Sequence, residues 1–153
     1  LVISTLHTQD AVRTLSRIIA VFDPSEQEMI RIRLSESLKA VVSQRLLPRA
    51  DGDGRIAAVE VMLVTSTIRD CVQDPDRIEE IPDLIAEGRE HYGSQTFDQH
   101  LMEMVEEGKV EFQVAKAAAT NPNDFDLKMN MFGDESGGVQ QDAADDMSHL
   151  FGN

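Results

Sequence analysis

A β-hairpin signal within a largely helical pattern is the feature that most restricts the fold of this chain. Residues 45–49 and 55–64 are strand-like, and they flank Asp51-Gly52-Asp53-Gly54, a turn sequence rich in glycine. Glycine and aspartate between two apolar runs are typical of hairpin turns. From Ser66 onward the periodicity is helical. We therefore predict an α/β fold.

The part of the chain before the hairpin is predicted to hold a strand and two helices. Residues 1–6 are β-branched and almost wholly apolar, as in a parallel strand that is buried on both faces. We predict that Thr8 caps the first helix. Residues 23–26, Asp-Pro-Ser-Glu, predict the start of the second helix, because they combine a cap, a proline and an acid. The apolar stripe of that helix ends with Val41 and Val42.

Prolines and capping residues divide the part of the chain after the hairpin into helices. Pro82 is expected to bend or split the first long one, and Thr96 with Gln99 forms a capping box for the next. After the short helix that starts at Ser66, we predict helices over residues 74–92, 96–108, 111–119 and 121–133.

The formal net charge of −14 is unevenly distributed. Residues 1–69 have a balance of +1, residues 70–133 one of −10 and residues 134–153 one of −5. Because a phosphate backbone needs lysine and arginine to neutralise it, this charge argues against a nucleic-acid-binding protein. The acidic residues 134–153 contain few apolar side chains and predict a disordered tail.

Cysteine usage and hydropathy favour a cytoplasmic protein. The single cysteine, Cys71, excludes an internal disulfide and a cysteine-based metal cluster, and it is typical of a reducing cytosol. No apolar run reaches the roughly 18 residues that a membrane span needs. The N-terminus shows no basic-plus-apolar leader, so we expect no secretory signal and no direct membrane span.

The hairpin turn resembles a calcium-binding loop, and we reject this interpretation. Asp51, Asp53 and Glu60 match three ligand positions of an EF-hand loop, but Arg49 stands where the first acidic ligand is required. The flanking segments are also strands rather than helices. The four histidines show no metal-ligand spacing, so no metal site is predicted.

His7 is the histidine with the most suggestive position. It follows a predicted strand and precedes a helix N-terminus, where free backbone N–H groups suit a phosphate. The same position is also typical of a histidine that caps the helix or packs under a loop. The sequence contains no GxxxxGK[ST] phosphate loop, so this chain alone is not expected to cradle a nucleotide.

Six segments together resemble one protein family. They are STLHTQDA with the helix after it, RLSESLKAVVSQRLLPR, GRIAAVEVML, TSTIRDCVQD, GSQTFDQHLMEMVEEGKV and ATNPNDFDLKM, in that order. The set resembles the PilT-like pilus retraction ATPases of the type II/type IV secretion ATPase superfamily, over about residues 1–133. The single cysteine also argues against the assembly and secretion motors, whose C-terminal regions carry paired CxxC zinc modules.

The resemblance implies a fold and a division of the chain. Residues 1–65 would be the C-terminal part of a RecA-like P-loop ATPase core and residues 66–133 a mostly helical C-terminal subdomain, followed by the acidic tail. The start at Leu1 and the missing P-loop and Walker-B elements lead us to expect the C-terminal half of such an ATPase. ATP and Mg²⁺ would then be bound mainly by the other half, and whether this chain acts as an enzyme stays open.

The resemblance also implies a function. Family members are homohexameric ring motors that hydrolyse ATP to drive type IV pilus retraction and twitching motility. They lie in the cytoplasm, peripheral to the inner membrane at the pilus base, where a platform protein is their partner. Two alternatives remain: the accessory retraction paralogue, and a non-catalytic helical interaction protein that has kept the ATPase's C-terminal surface.

The resemblance assigns roles to four residues. His7 is the histidine-box residue that lies near the γ-phosphate, and Thr8 is its neighbour at the start of the helix. Residues 67–72 align with the family's AIRNLI stretch, which is associated with the retraction output. Ile68 and Arg69 are retained in that stretch, whereas the other four positions differ.

Overall fold

The computed structural model describes residues 1–136, with side chains as far as Met131. Its elements, in chain order, are α1 (Ala11–Ile19), α2 (Gln27–Ser37), β1 (Ala40–Pro48), β2 (Arg55–Leu63), α3 (Ser66–Gln73), a 3₁₀ helix (Pro75–Glu80), α4 (Ile81–Glu87), α5 (Arg89–Tyr92), α6 (Phe97–Glu106), α7 (Phe112–Ala118) and α8 (Pro122–Ser136). The chain is therefore a mixed α/β structure, as predicted.

The predicted hairpin is confirmed. β1 and β2 pair antiparallel along their whole length, and they form the only sheet found among residues 1–136. Gly52 and Gly54 turn the chain with φ values of 78° and 79°, a left-handed conformation that a Cβ atom disfavours.

Groups other than a third strand satisfy the outer edge of β2. Val61 exchanges both of its backbone hydrogen bonds with Gln95, at 2.8 and 2.9 Å. The Val59 N–H donates to Nδ1 of His100, on α6, at 2.9 Å. The start of α6 and the segment before it therefore take the place of a neighbouring strand.

The strand predicted for residues 1–6 is wrong. Residues 1–8 have no regular structure, and the side chains of Leu1, Val2 and Ile3 are almost fully exposed. A buried parallel strand needs neighbours that take its N–H and C=O groups. Within the described part of the chain the hairpin provides the only strands, and it does not extend to this segment.

The predicted cap of α1 is also wrong. Asp10 is the N-cap, and its carboxylate accepts a hydrogen bond from the Arg13 N–H at 2.8 Å. An N-cap oxygen must lie two or three residues before its donor, and Asp10 meets this condition. The Thr8 hydroxyl instead lies 2.7 Å from the Thr14 hydroxyl.

The second helix differs from its prediction at both ends. Residues 23–26 form a turn that is closed by a 2.8 Å hydrogen bond between the Glu26 N–H and the Asp23 carbonyl, and α2 begins after it without a side-chain cap. Val41 and Val42 belong to β1, because they pair with β2. Pairing with a distant segment has overridden a helical spacing that continued from α2.

The helical pattern after β2 is confirmed. Pro82 lies in the first turn of α4 and separates it from the 3₁₀ helix, and Thr96 and Gln99 form both hydrogen bonds of the capping box on α6. The last helix ends at Ser136 rather than Gly133, so residues 134–136 of the predicted tail are helical. The rest of that tail, residues 137–153, lies outside the described residues.

Two buried apolar clusters hold the elements together. The first joins α1, β2, α3, the 3₁₀ helix and α4, and the second joins the hairpin to α6, α7 and α8. The first consists of Ala11, Leu15, Met62, Ile68, Cys71, Val72, Ile78, Ile81 and Ile85, and the second of Leu47, Ala58, Phe97, Leu101, Met104, Val110, Ala115 and Phe125. Each cluster contains residues from both sides of position 65, and a boundary there stays a prediction about the whole protein.

Candidate functional site

The histidine-box residues lie just before α1. His7 is exposed, in the irregular segment at the N-terminus, and Thr8 is half-buried against α1 through its contact with Thr14. The Thr14 hydroxyl also donates to the Asp10 carbonyl at 2.8 Å. These hydrogen bonds fix the backbone between His7 and the first turn of the helix.

The N-terminus of α1 is occupied by protein groups, which corrects one sequence-based expectation. The Ala11 N–H donates to Oε1 of Glu60 at 2.8 Å, and the Arg13 N–H donates to Asp10. Backbone N–H groups at a helix start bind an anion when they have no other acceptor. Two of the first three donors here already have a carboxylate acceptor, so His7 does not share this end of α1 with a free N–H cradle for phosphate.

Glu60 is a functional candidate that the sequence reasoning did not single out. It lies on β2 with 8% of its surface exposed, and its carboxylate reaches the first residue of a helix that is 49 positions away in sequence. The alternation of side chains along β2 was an available signal, because Glu60 lies two positions from both Ala58 and Met62 and shares their inward face. An acid at an inward position needs a partner, and the partner is non-local.

Burial raises the pKa of Glu60 above its ordinary value, and the nearby negative charge of Asp10 raises it further. The hydrogen bond from the Ala11 N–H acts in the opposite direction, because it stabilises the carboxylate. The positive charge of Arg45 on β1 has the same effect. Glu60 is therefore a buried acid in which desolvation outweighs favourable contacts.

A cleft of about 1050 Å³ opens between α1, the hairpin, α4 and α6, and Glu60 lies in its wall. Acidic side chains in the lining outnumber basic ones by seven to four. Three of the bases are engaged: Arg45 donates to the Ala118 carbonyl at 2.6 Å, Arg89 is paired with Glu103, and Arg13 is paired with Asp10. This charge balance disfavours an anion such as a nucleotide phosphate in the cleft.

The two output residues have different environments on α3. Ile68 is 1% exposed and packs in the first apolar cluster, whereas Arg69 is exposed. Thr65 caps this helix, and its hydroxyl accepts the Ile68 N–H at 3.3 Å. Ile68 shares its cluster with Ala11 and Leu15 of α1, so the helix that follows His7 and the helix that carries Arg69 belong to one core.

Other chemical groups in the described region do not form a second centre. Cys71 is fully buried, and burial raises the pKa of its thiol, which disfavours a nucleophilic role. Residues 1–136 contain no group of three or more histidine, cysteine or acidic side chains placed to hold a metal ion. In the same residues, no helix is long and apolar enough to cross a membrane.

Curated relatives match most of this chain. It is 40% identical over 121 residues to the twitching motility protein of Neisseria gonorrhoeae, which covers 79% of the chain and 32% of the relative. It is 38% identical over 125 residues to the type IV pilus retraction ATPase PilT of Pseudomonas aeruginosa, covering 82% and 36%. It is 36% identical over 136 residues to the type IV pilus ATPase PilU of the same bacterium, covering 89% and 35%. The chain thus spans about a third of the length of these relatives.

Solved structures show the same relationship. A crystal structure of the pilus retraction motor PilT with bound ADP superposes with a TM-score of 0.68 at 30% identity, over 80% of this chain and 33% of that one. The ATPase DotB of Legionella pneumophila superposes at 0.61 with 21% identity, over 72% and 29%, which shows a shared fold alone.

No protein-family model matches the chain. The sequence relatives and the superposition with PilT nevertheless agree with each other and with the six ordered motifs. In sequence and in fold, the chain is homologous to a segment of the PilT-like pilus retraction ATPases.

Proposed function

We propose that this chain is the C-terminal portion of a hexameric, ATP-hydrolysing motor that drives type IV pilus retraction and twitching motility. The observation that carries the proposal is the match to the gonococcal twitching motility protein and to PilT, at 40 and 38% identity over about four-fifths of the chain. In this reading residues 1–65 complete a RecA-like core, and residues 66–133 form the helical subdomain.

His7 is the residue proposed to meet the nucleotide. Its imidazole is exposed, and the contact between Thr8 and Thr14 fixes the backbone next to it. ATP and Mg²⁺ would be held mainly by parts of the motor outside this segment, because the sequence has no phosphate loop and the cleft is acidic. When it is bound, ATP supplies the phosphoryl group that is hydrolysed, and this chain supplies one side chain near it.

The proposed setting follows from the same relationship. The motor would be a homohexamer in the cytoplasm, peripheral to the inner membrane at the pilus base, with the platform protein as its partner. Arg69, exposed on α3, is the output residue that could contact such a partner, whereas Ile68 is buried and supports the helix.

A chimera tests the proposal. The matching segment of P. aeruginosa PilT is replaced by residues 1–133, and ATP hydrolysis and hexamer formation are measured. We expect an active hexamer in which His7→Ala lowers turnover about tenfold or more, since removing a group that stabilises transition-state charge commonly costs at least this much. His91→Ala, at another exposed histidine, is the matched control and should change turnover less than about twofold. Unchanged turnover in His7→Ala would contradict the assignment.

The accessory paralogue is a second candidate, because the chain is 36% identical to PilU over 136 residues. Placing residues 1–133 in PilT and, separately, in PilU of the same bacterium distinguishes the two. Restored twitching by the PilT chimera alone favours the retraction motor, and restoration by the PilU chimera alone favours the paralogue. A chimera that forms hexamers without hydrolysing ATP would favour the non-catalytic interaction protein.

A further inference from the structure

A single buried carboxylate joins the hairpin to the start of α1. Glu60 accepts the Ala11 N–H at 2.8 Å, and Ala11 is the first residue of the helix that follows His7 and Thr8. Both residues are buried, with 8 and 1% of their surfaces exposed. The hydrogen bond therefore joins two separate elements at a buried position in the wall of the cleft.

The strand that carries Glu60 leads directly to the output helix. β2 ends at Leu63, and Thr65 caps α3 two residues later. Met62, two residues after Glu60 on the same face of β2, lies in the apolar cluster that also contains Ala11 and Ile68. The α1 N-terminus is thus connected to β2 by a hydrogen bond, and to α3 through this shared apolar cluster, which is the kind of close-packed contact that can transmit a displacement.

We infer that Glu60 is a positioning residue that couples the histidine-box segment, His7 and Thr8, to the output helix α3. The inference rests on the proposed function, from which the roles of His7 and Arg69 are taken. Glu60 contacts neither the nucleotide nor the pilus machinery. It fixes α1, the helix that follows His7, relative to α3, the helix that carries Arg69.

The chemistry at this position supports coupling rather than packing alone. Desolvation of the Glu60 carboxyl is unfavourable, and an apolar residue of similar size would fill the same space without that cost. What an apolar residue lacks is an acceptor for the Ala11 N–H, which is one of the donors at a helix start that has no partner within its own helix. The side-chain carbonyl oxygen of glutamine is still an acceptor but carries no charge, so Glu60→Gln separates the effect of the hydrogen bond from the effect of the charge.

The first arm of the test uses the full 153-residue chain and does not depend on motor activity. Amide hydrogen exchange of Ala11 is compared in the wild type, Glu60→Ala, Glu60→Gln and the control Glu79→Gln, which changes an exposed carboxylate in the wall of the same cleft. Glu60→Ala should lower protection of the Ala11 amide about tenfold or more, and the other two variants should stay within about threefold of the wild type. Equal protection in all four would overturn the inference.

The second arm measures coupling in the PilT chimera. Cys71→Ala and Asp70→Cys place an environment-sensitive dye on the exposed face of α3, and its emission is recorded with and without ATP. We expect a nucleotide-dependent change in the parent chimera and in Glu79→Gln, its loss in Glu60→Ala and its recovery in Glu60→Gln. Turnover in Glu60→Ala should fall about tenfold at an unchanged KM for ATP, because the phosphate contacts lie elsewhere.

The outcomes separate this inference from the proposed function. If turnover depends on His7 but the dye response is unchanged in Glu60→Ala, the coupling is contradicted and the proposed function is not. A parent chimera that shows no dependence on His7 contradicts the proposed function, and with it this inference. If Glu60→Ala does not fold, Ala11→Pro removes the donor instead, at a helix position where proline is accepted. The dye response should then be lost in Ala11→Pro, and its persistence would overturn the coupling.

Discussion

Substitutions at the adjacent residues Ile68 and Arg69 should have different effects. A substitution at Ile68 should lower the free energy of unfolding, whereas one at Arg69 should change the proposed output surface and leave the fold intact. Ile68 is 1% exposed and belongs to the apolar cluster that also contains Ala11, Leu15 and Met62, whereas Arg69 is exposed. Ile68→Ala removes three buried carbon atoms, at about 0.8 kcal/mol each. Incomplete closure of the cavity adds to this, so the free energy of unfolding should fall by about 3 kcal/mol.

Two further variants define the expected pattern. Ile68→Val removes one carbon atom and should cost about 1 kcal/mol. Arg69→Ala changes an exposed helix position and should stay within about 0.5 kcal/mol of the wild type. Urea unfolding of the full chain, followed by far-UV circular dichroism, gives these differences from the midpoint at a constant slope. A cost below about 1 kcal/mol for Ile68→Ala, or an equal cost for Arg69→Ala, would refute the placement of Ile68 in the first apolar cluster.

This pattern has a consequence for motility experiments. The loss expected for Ile68→Ala corresponds to a melting temperature about 10 °C lower in a domain of this size. The loss of stability would therefore be enough to explain a motility defect in Ile68→Ala, and such a defect would not by itself identify an output role for Ile68. Arg69→Ala tests the output surface without this complication, because its fold should be intact.

Three further predictions concern Glu60, the capping box and the hairpin turn. Because burial raises the pKa of Glu60 above 4.5, the folded chain binds this proton more tightly than the unfolded chain. Relative to Glu60→Gln, the wild type should thus lose stability as pH rises above about 4.5 through the raised pKa. The urea midpoint of the wild type minus that of Glu60→Gln should therefore increase as the pH is lowered across that range. Thr96→Ala removes half of a capping box and should cost about 1 kcal/mol in the same assay, while Thr120→Ala serves as an exposed control. Millimolar calcium should leave the melting temperature unchanged, because Arg49 pairs with Asp51 at 2.8 Å in the turn, and a rise of several degrees would contradict this.

Local signals were sufficient for much of the fold. The glycines of the turn, the proline at the start of α4 and the capping box on α6 each act within four residues of their own position. The sequence could therefore predict the hairpin and most helices after it. The six ordered segments were also enough to indicate the family to which the relatives belong.

Non-local interactions account for the errors at residues 1–6, at Val41 and at Glu60. Residues 1–6 have strand-like composition, but a strand exists only with a partner, and the hairpin does not provide one. Val41 continues the spacing of α2, but pairing with Met62 places it in β1. Glu60 was missed for the same reason, since its partner Ala11 lies 49 positions away. The chemical role of His7 depends on groups outside the described residues, and it stays a prediction.

The way α6 covers β2 determines where any larger sheet can form. The outward N–H groups of Val59 and Val61 are already bound to His100 and Gln95, so this part of β2 cannot pair with a new strand. On β1, alternate residues such as Val42 and Gln44 direct their backbone groups away from β2. A strand supplied by another part of the protein would thus pair with β1 rather than with the covered part of β2, so the packing of α6 favours growth of the sheet toward β1.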